Sequence, residues 1–237
     1  MNSIKIAAFV SLAAVMLATP VPRAESQSQT QSQPPPASSD VPVYKPPLRG
    51  APGGRVGGGT RGPAAREVFV LSALAPNHTG LTVSEQPSLY WFISGPTSFP
   101  MEVTVVDPRA SQPVLEARVL SPNQSGVRRI RLADHNIRLS PGVAYRWFVA
   151  VVPDPARRSR DILAGGTIER VELSDEIKGK LAQATKGDLP FVYAEAGLWY
   201  DAVAAISERI EEGPNDAVLR KQRAALMAQV GLPDIGE

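Results

Sequence analysis

One loop-like segment carries a set of side chains suited to polar chemistry. Residues 154–161, DPARRSRD, follow the most apolar strand-like run and place Arg157, Arg158, Ser159 and Asp161 close together. Loops at one end of a β-sandwich commonly carry binding sites, so this segment is a candidate interaction site. Local ion pairs and turn caps are the alternative explanation, and such pairs contribute little at a surface.

Trp199, Tyr200 and Asp201 form the densest aromatic cluster outside the strand-like segments. Their position within a helical pattern indicates a contact between helices and the preceding domain. A platform for a ligand is the alternative interpretation, because aromatic rings with polar tips suit both roles.

Carboxylates offer the only route to catalysis that the sequence suggests. Asp161 and Glu169 would serve as acid and base of an enzyme acting on envelope polymers, provided that they converge in a cleft. Pairing of these carboxylates with Arg158 and Arg170 would favour a binding module instead. The chain has two histidines, no cysteine and none of the common serine or zinc hydrolase motifs, so we predict no catalytic residue, metal or cofactor.

A glycine-rich strap, residues 49–62, precedes the regular segments. Eight of its fourteen residues are Gly or Pro, which excludes helix and regular strand. It matches the spacing of a dinucleotide-binding loop but follows a Pro-rich coil, not a strand. We expect an extended strap on the protein surface in which Arg55 and Arg61 pair with carboxylates. A backbone nest that binds an anion is the alternative.

The N-terminus has the features of an export signal. Residues 1–24 contain Lys5 and then an apolar run from Ile6 to Leu17, which is too short to span a membrane. Residues 25–47 are rich in Ser, Gln and Pro and predict a disordered tether. We therefore expect a periplasmic or secreted protein without a transmembrane segment, and the absence of cysteine excludes a bacterial lipid anchor.

Seven short alternating segments predict a mainly β domain, which together with the strap covers residues 48–173. Trp91 lies in an early strand, and the run from Leu139 to Tyr145 resembles the tyrosine corner of fibronectin-like folds. The prediction is an immunoglobulin-like or fibronectin-like antiparallel sandwich. The predicted strands are residues 67–74, 88–94, 101–107, 114–120, 127–132, 145–152 and 167–173.

Residues 174–237 are helical in pattern and contain an internal echo. The run AEAGL at residues 194–198 recurs as AQVGL at residues 228–232, an offset of 34 residues, which is the tetratricopeptide period. Ala202, Ile206 and Pro214 agree with that repeat. About three repeats are needed for independent stability, so this short segment must pack on the sandwich.

Overall charge argues against a polyanion as the partner. The sequence has 25 Lys and Arg against 23 Asp and Glu, and removal of Lys5 and Arg23 with the signal leaves equal numbers. Nucleic-acid binding rests on net neutralisation of phosphates, so we predict no nucleic-acid partner. The acids concentrate after residue 169, and the two halves of the chain can therefore attract each other or different partners.

A set of motifs spread along the chain resembles an exported bacterial family known as domain of unknown function 928. The motifs are GAP and GGGTRG of the strap, GLT, YRWF, DPxxRSxD, IERV and GLWYDA. The resemblance covers roughly residues 45–235 and implies a shared architecture without an established activity, cofactor or catalytic residue.

These observations together favour an exported, non-catalytic binding or scaffolding module of the bacterial envelope. Its partner is expected to be a protein or another envelope component, and the sequence leaves the oligomeric state open. An enzyme that acts on envelope polymers through Asp161 and Glu169 is the alternative.

Overall fold

The computed structural model describes residues 40–47, 54–57, 69–232 and 235. Within these ranges eight β-strands come first and four α-helices follow. The prediction of a β-rich chain with a C-terminal helical part is therefore confirmed. The predicted signal at residues 1–24 and residues 25–39 of the predicted tether lie outside the described residues.

The strands form two sheets. One sheet has the order β1-β3-β6, and the other has the order β2-β8-β7-β4-β5. All neighbours pair antiparallel except β2 and β8, which run parallel. The strands are β1 Leu71–Ala73, β2 Gly80–Thr82, β3 Ser88–Ile93, β4 Met101–Val106, β5 Leu115–Val119, β6 Gly126–Arg131, β7 Ala144–Val151 and β8 Ile162–Arg170.

Alternating side chains build the core between the sheets. Met101, Val103 and Val105 of β4 are buried while the residues between them are partly exposed. Trp147 of β7 and Trp91 of β3 are also buried. Since successive side chains of a strand point to opposite faces, this pattern fixes which face of each strand lies inside.

Each of the seven predicted strand segments overlaps a strand, but two features differ from the prediction. The short strand β2 was not predicted, because three residues including Gly80 carry no alternation. Strand β8 begins at Ile162 and not at residue 167. Its early part contains Gly165 and Gly166, which lack side chains to show a pattern.

The helices begin at residues that satisfy their free amide groups. The Ser174 side chain accepts a hydrogen bond from Ile177 N, and the Asp216 side chain accepts from Val218 N and Leu219 N. Such caps stabilise a helix N-terminus. The helices are α1 Asp175–Gln183, α2 Leu189–Glu195, α3 Trp199–Glu212 and α4 Ala217–Ala228.

Residues 40–47, which we name the arm, differ from the prediction of a disordered tether over residues 25–47. Pro42 and Tyr44 are buried, and the backbone amide of Lys45 donates to Ala194 O at 3.0 Å. The composition of the tether as a whole offers little to bury, but these two residues supply enough local apolar surface to hold the arm on the helices.

The described part of the strap lies along β8. Val56 and Gly165 exchange two backbone hydrogen bonds, of 3.0 and 3.2 Å, and form an isolated antiparallel bridge. A Cβ atom at Gly165 would lie 2.3 Å from the carbonyl oxygen of Trp147. Only glycine fits at position 165. The strap therefore pairs with β8 at a residue that has no side chain.

Candidate functional site

The first turn of α3 joins the helices to the sandwich. The indole Nε1 of Trp199 donates to Leu74 O at 2.9 Å. The hydroxyl of Tyr200 accepts a hydrogen bond from Trp147 Nε1 at 2.8 Å and donates one to Thr167 O at 3.1 Å. Both rings are buried. These hydrogen bonds satisfy the polar tips of the rings inside the contact.

Glycine permits this close packing. A Cβ atom at Gly80 of β2 would lie 2.6 Å from a ring carbon of Tyr200. The Tyr200 ring therefore rests directly on the backbone of β2, and α3 approaches the sheet more closely than it could over a larger residue.

Asp201 follows Tyr200 and is buried at the same contact. Its Oδ1 accepts a hydrogen bond from the Thr82 hydroxyl at 3.2 Å, and its Oδ2 accepts one from Val83 N at 3.1 Å. Burial raises the pKa of the Asp201 carboxyl to about 6, although the bonds from Val83 and Thr82 favour the charged form. The carboxyl thus titrates near neutral pH.

A pocket of about 250 Å³ opens beside Asp201, between the β2–β3 connection and helices α2 and α3. We name it the seam pocket. Its walls combine hydroxyl, amide and apolar groups with side chains of both charges. The lining residues are Thr82, Ser84, Gln86, Pro87, Ser88, Lys186, Leu189, Tyr193, Tyr200, Asp201, Ala204, Ala205, Glu208 and Arg209.

The charges of the seam pocket are partly compensated by neighbours. Lys186 pairs with Glu212, and Arg209 donates to Gly187 O at 3.5 Å. Burial raises the pKa of Tyr193, and the charges of Asp201 and Glu208 raise it further. The pocket therefore has both basic and acidic side chains around a small volume.

The predicted loop site forms a surface ion-pair cluster. Arg158 pairs with Asp161 at 2.8 Å and with Glu102 of β4 at 2.6 Å, while Arg157 pairs with Asp154 at 3.5 Å. Ser159 is exposed in a single 3-10 turn, Arg158–Arg160. Burial raises the pKa of Asp161, and the charge of Arg158 opposes that shift. The loop borders a second cavity of about 490 Å³ on the outer face of β4 and β5.

Asp161 and Glu169 do not meet. Asp161 immediately precedes β8, and Glu169 lies near its far end. Eight residues of extended strand separate them by roughly 26 Å, whereas paired carboxylates in glycoside hydrolases lie within about 10 Å. Asp161 pairs with Arg158, whereas Arg170 donates to Leu139 O at 3.1 Å and lies 3.7 Å from Glu85. The structure therefore does not form the predicted acid and base pair.

Arg55 has a role different from the predicted pairing with carboxylates. Its guanidinium donates to Ala75 O at 3.3 Å, to Val230 O at 3.2 Å and to Gly231 O at 3.0 Å. It thereby connects the strap, the sandwich and the end of α4. Carbonyls left free at a helix C-terminus are suitable acceptors for a cation. Arg61, its predicted companion, lies outside the described residues.

The sequence prediction found two residues that line the seam pocket, Tyr200 and Asp201. It missed Lys186, Tyr193, Glu208 and Arg209. A signal for part of the set exists in α3, where Asp201, Ala204, Ala205 and Glu208 recur at helical spacing on one face. Contacts from the β2–β3 connection depend on the tertiary fold and leave no such pattern.

Neither a metal-ligand cluster nor a membrane-spanning helix occurs among the described residues. These residues contain no group of three or more His, Asp or Glu side chains positioned to bind a metal ion. They also contain no helix that is both long and apolar enough to cross a membrane.

Fold and site together define a β-rich protein with a C-terminal helical part and a polar pocket at the junction of the two. The sequence profile of the Domain of Unknown Function (DUF928) matches residues 56–237, and the chain belongs to that family. A comparison with curated proteins gave no match.

Proposed function

We propose that the protein is an exported, non-catalytic binding module of the bacterial envelope, and that its ligand binds in the seam pocket. The observation that carries the proposal is the composition of this pocket, whose lining contains two bases, Lys186 and Arg209, and two acids, Asp201 and Glu208. A concave site with an apolar floor and a few convergent polar groups is typical of small-ligand binding. Side chains of both charges around a volume of about 250 Å³ suit a small zwitterionic ligand, which carries a cationic and an anionic group.

Capture from solubilised envelope tests this proposal with a matched pair of variants. Ala205→Phe fills the seam pocket, whereas Ala182→Phe adds the same ring to an exposed position of α1. The wild type and Ala182→Phe should retain a common component that Ala205→Phe does not retain, as identified by mass spectrometry. Equal retention by all three folded proteins, or retention by none, contradicts the proposal.

An enzyme is the second candidate, and one observation favours it. Asp201 combines burial, a pKa of about 6 and a position in a pocket, which are features shared by many acid and base catalysts. The same capture samples test this alternative. New soluble fragments released from the envelope by the wild type, but not by Asp201→Asn, would replace the binding proposal with a hydrolase.

We infer that the sandwich is of the immunoglobulin-like or fibronectin-like type. Apart from β2, which adds a parallel strand beside β8, the order β1-β3-β6 against β8-β7-β4-β5 corresponds to A-B-E against G-F-C-C′ in such folds. The hydroxyl of Tyr145, at the start of β7, accepts a hydrogen bond from Ser140 N at 3.1 Å. This contact has the form of a tyrosine corner and supports the inference.

We also infer that α2, α3 and α4 are one tetratricopeptide-like repeat and the first helix of the next. Gly197 and Gly231, which are 34 residues apart, both have positive φ, of 75° and 66°. Leu198 N bonds to Tyr193 O at 2.9 Å, and Leu232 N bonds to Met227 O at 3.2 Å. Helices α2 and α4 therefore end in the same glycine-dependent turn, as expected of equivalent positions in a repeat.

A further inference from the structure

Two glutamine side chains of the helical part bind the backbone of the arm. Gln229, at the end of α4, accepts a hydrogen bond from Tyr44 N and donates one to Pro42 O, both at 2.8 Å. Gln222 donates to Asp40 O at 2.8 Å. These bonds use only main-chain atoms of the arm, so they recognise an extended backbone irrespective of its sequence.

The spacing of the two glutamines fits an extended peptide. Gln222 and Gln229 are seven residues apart on or beside α4, which corresponds to roughly 10 Å along a helix axis. Three residues of an extended chain span about the same length. We name the surface formed by Ala194, Gly197, Gln222 and Gln229 the clamp groove.

Alternate side chains of the arm face the protein. Pro42 and Tyr44 are buried, whereas Val43 and Lys45 are exposed. The Tyr44 ring stacks on His78, with 5.9 Å between ring centroids, and meets Trp199 edge to face at 4.9 Å. The Tyr44 hydroxyl and His78 Nε2 are 2.9 Å apart. His78 is therefore half-buried in this contact.

Glycine also brings the arm close to α2. A Cβ atom at Gly197 would lie 2.8 Å from the carbonyl oxygen of Lys45. Lys45 itself pairs with Glu195 at 2.9 Å. The groove thus holds the arm by hydrogen bonds to its backbone, by one buried ring and by one ion pair. Proteins that bind extended peptides combine main-chain hydrogen bonds with side-chain contacts in the same way.

The groove continues beyond the arm. A cavity of about 690 Å³ borders Asp40 and extends along α2 and α4, where Phe191 and Val218 line it. Val218 is 60% exposed. This surface is longer than the described arm requires and offers apolar contacts to further residues of a peptide.

We propose that the clamp groove is a binding site for an extended peptide of a partner protein that carries Pro-x-Tyr, and that the arm is its internal competitor. This surface lies apart from the seam pocket and extends the proposed function to a second ligand class. The arm is covalently attached, so its effective concentration at the groove is high and a free peptide binds only to the fraction of molecules in which the arm is released.

A fluorescent peptide with the sequence of residues 38–47, SSDVPVYKPP, tests the proposal by anisotropy against the full mature chain. Tyr44→Ala weakens the internal competitor and leaves the groove intact. We expect this variant to bind the peptide at least roughly tenfold more tightly than the wild type does. Val43→Ala is the matched control, because Val43 faces outward, and it should bind like the wild type.

The clamp itself is tested in the Tyr44→Ala background. Adding Gln229→Ala removes two backbone hydrogen bonds and should weaken peptide binding by about tenfold or more. Gln183→Ala, at an exposed position of α1, should have no effect. A peptide in which Tyr is replaced by Ala should bind weakly to every variant. Absence of peptide binding to a folded Tyr44→Ala protein, or binding unaffected by Gln229→Ala, overturns the proposal.

A second form of the protein covers the case in which Tyr44→Ala does not fold. A protease site inserted between Pro47 and Gly54 allows the wild-type chain to be cut after folding. The arm should then dissociate on dilution, and the labelled peptide should replace it with saturable binding. If the cut arm never exchanges, or if the remaining protein unfolds when the arm leaves, the groove is a structural seat and the proposal is wrong.

Discussion

Asp201 shows how one buried carboxyl links folding to pH. Its folded pKa of about 6 lies above the value of about 4 for an unfolded Asp, because burial disfavours the charge. The folded state therefore binds a proton more tightly than the unfolded state does. The stability that this proton contributes is present below pH 4 and is lost as the pH rises through 6.

Asp201→Asn isolates this titration. The free energy of unfolding of the wild type, relative to the variant, should fall by up to about 3 kcal/mol between pH 4 and pH 7. Urea denaturation of both proteins at pH 4, 5, 6 and 7 measures the difference, and the other titrating groups largely cancel. A difference that is constant or that grows with pH would show that Asp201 is charged throughout.

Arg55 acts through carbonyl acceptors, and that determines how it responds to substitution and to salt. Arg55→Lys keeps the charge but loses the fork that reaches Ala75, Val230 and Gly231. We expect the variant to lose roughly 1–2 kcal/mol of stability. The loss should be nearly the same at low and high salt, because screening acts mainly on pairs of charges. Thermal melts at two salt concentrations measure it, and a loss that disappears at high salt would indicate a carboxylate partner.

At the scale of single elements, alanine substitutions at two glycines should change the stability of the protein in opposite directions. Gly165→Ala places a methyl group against the Trp147 carbonyl in β8, so it should destabilise the protein by roughly 2 kcal/mol. Gly179→Ala has open space around its Cβ in the middle of α1 and should stabilise the protein by about 0.5–1 kcal/mol. Denaturant melts compare the two variants with the wild type. Equal effects would mean that β8 relaxes around the added methyl group.

The helical part depends on the sandwich for its polar contacts as well as its apolar ones. In an isolated fragment of residues 174–237, Trp199, Tyr200 and Asp201 lose their partners in β2, β7, β8 and the loop after β1. The fragment should therefore show helical signal without a cooperative thermal transition in circular dichroism. The full mature chain is the control and should melt sharply. A sharp melt from the fragment alone would refute this dependence.

The elements that sequence predicts well are those whose side chains alternate. The burial of Tyr145, Trp147 and Val149 in β7 follows directly from their spacing. Strand β2 leaves no such signal, since its three residues are held by pairing with β8 and by the Tyr200 ring. The arm also escaped prediction, because its order comes from two side chains and from glutamines more than 180 residues away.

At the scale of the whole molecule, charge contributes less to the junction than the sequence suggests. Among the described residues, bases of the first half meet acids of the second in two ion pairs, each at 2.9 Å: Arg129 of β6 with Glu211 of α3, and Lys45 of the arm with Glu195 of α2. Buried rings, backbone acceptors and glycine contacts account for the rest of the described junction. The seam pocket forms where α3 packs against the β2–β3 connection. The site therefore depends on long-range contacts, which local sequence patterns do not show.

The last prediction concerns the fate of the whole chain in the cell. The charged start, short apolar run and small residues at Ala18 and Ala24 predict export with cleavage after Ala24. Pro22, at the third position before that cut, is a poor recognition residue, so cleavage after Ala18 is the alternative. Mass spectrometry of the N-terminus in periplasmic and cytoplasmic fractions measures both, and Lys5→Glu serves as an export-impaired control. Either cut leaves the arm on the mature protein. Recovery of chains that retain Met1 in the cytoplasm alone would refute export.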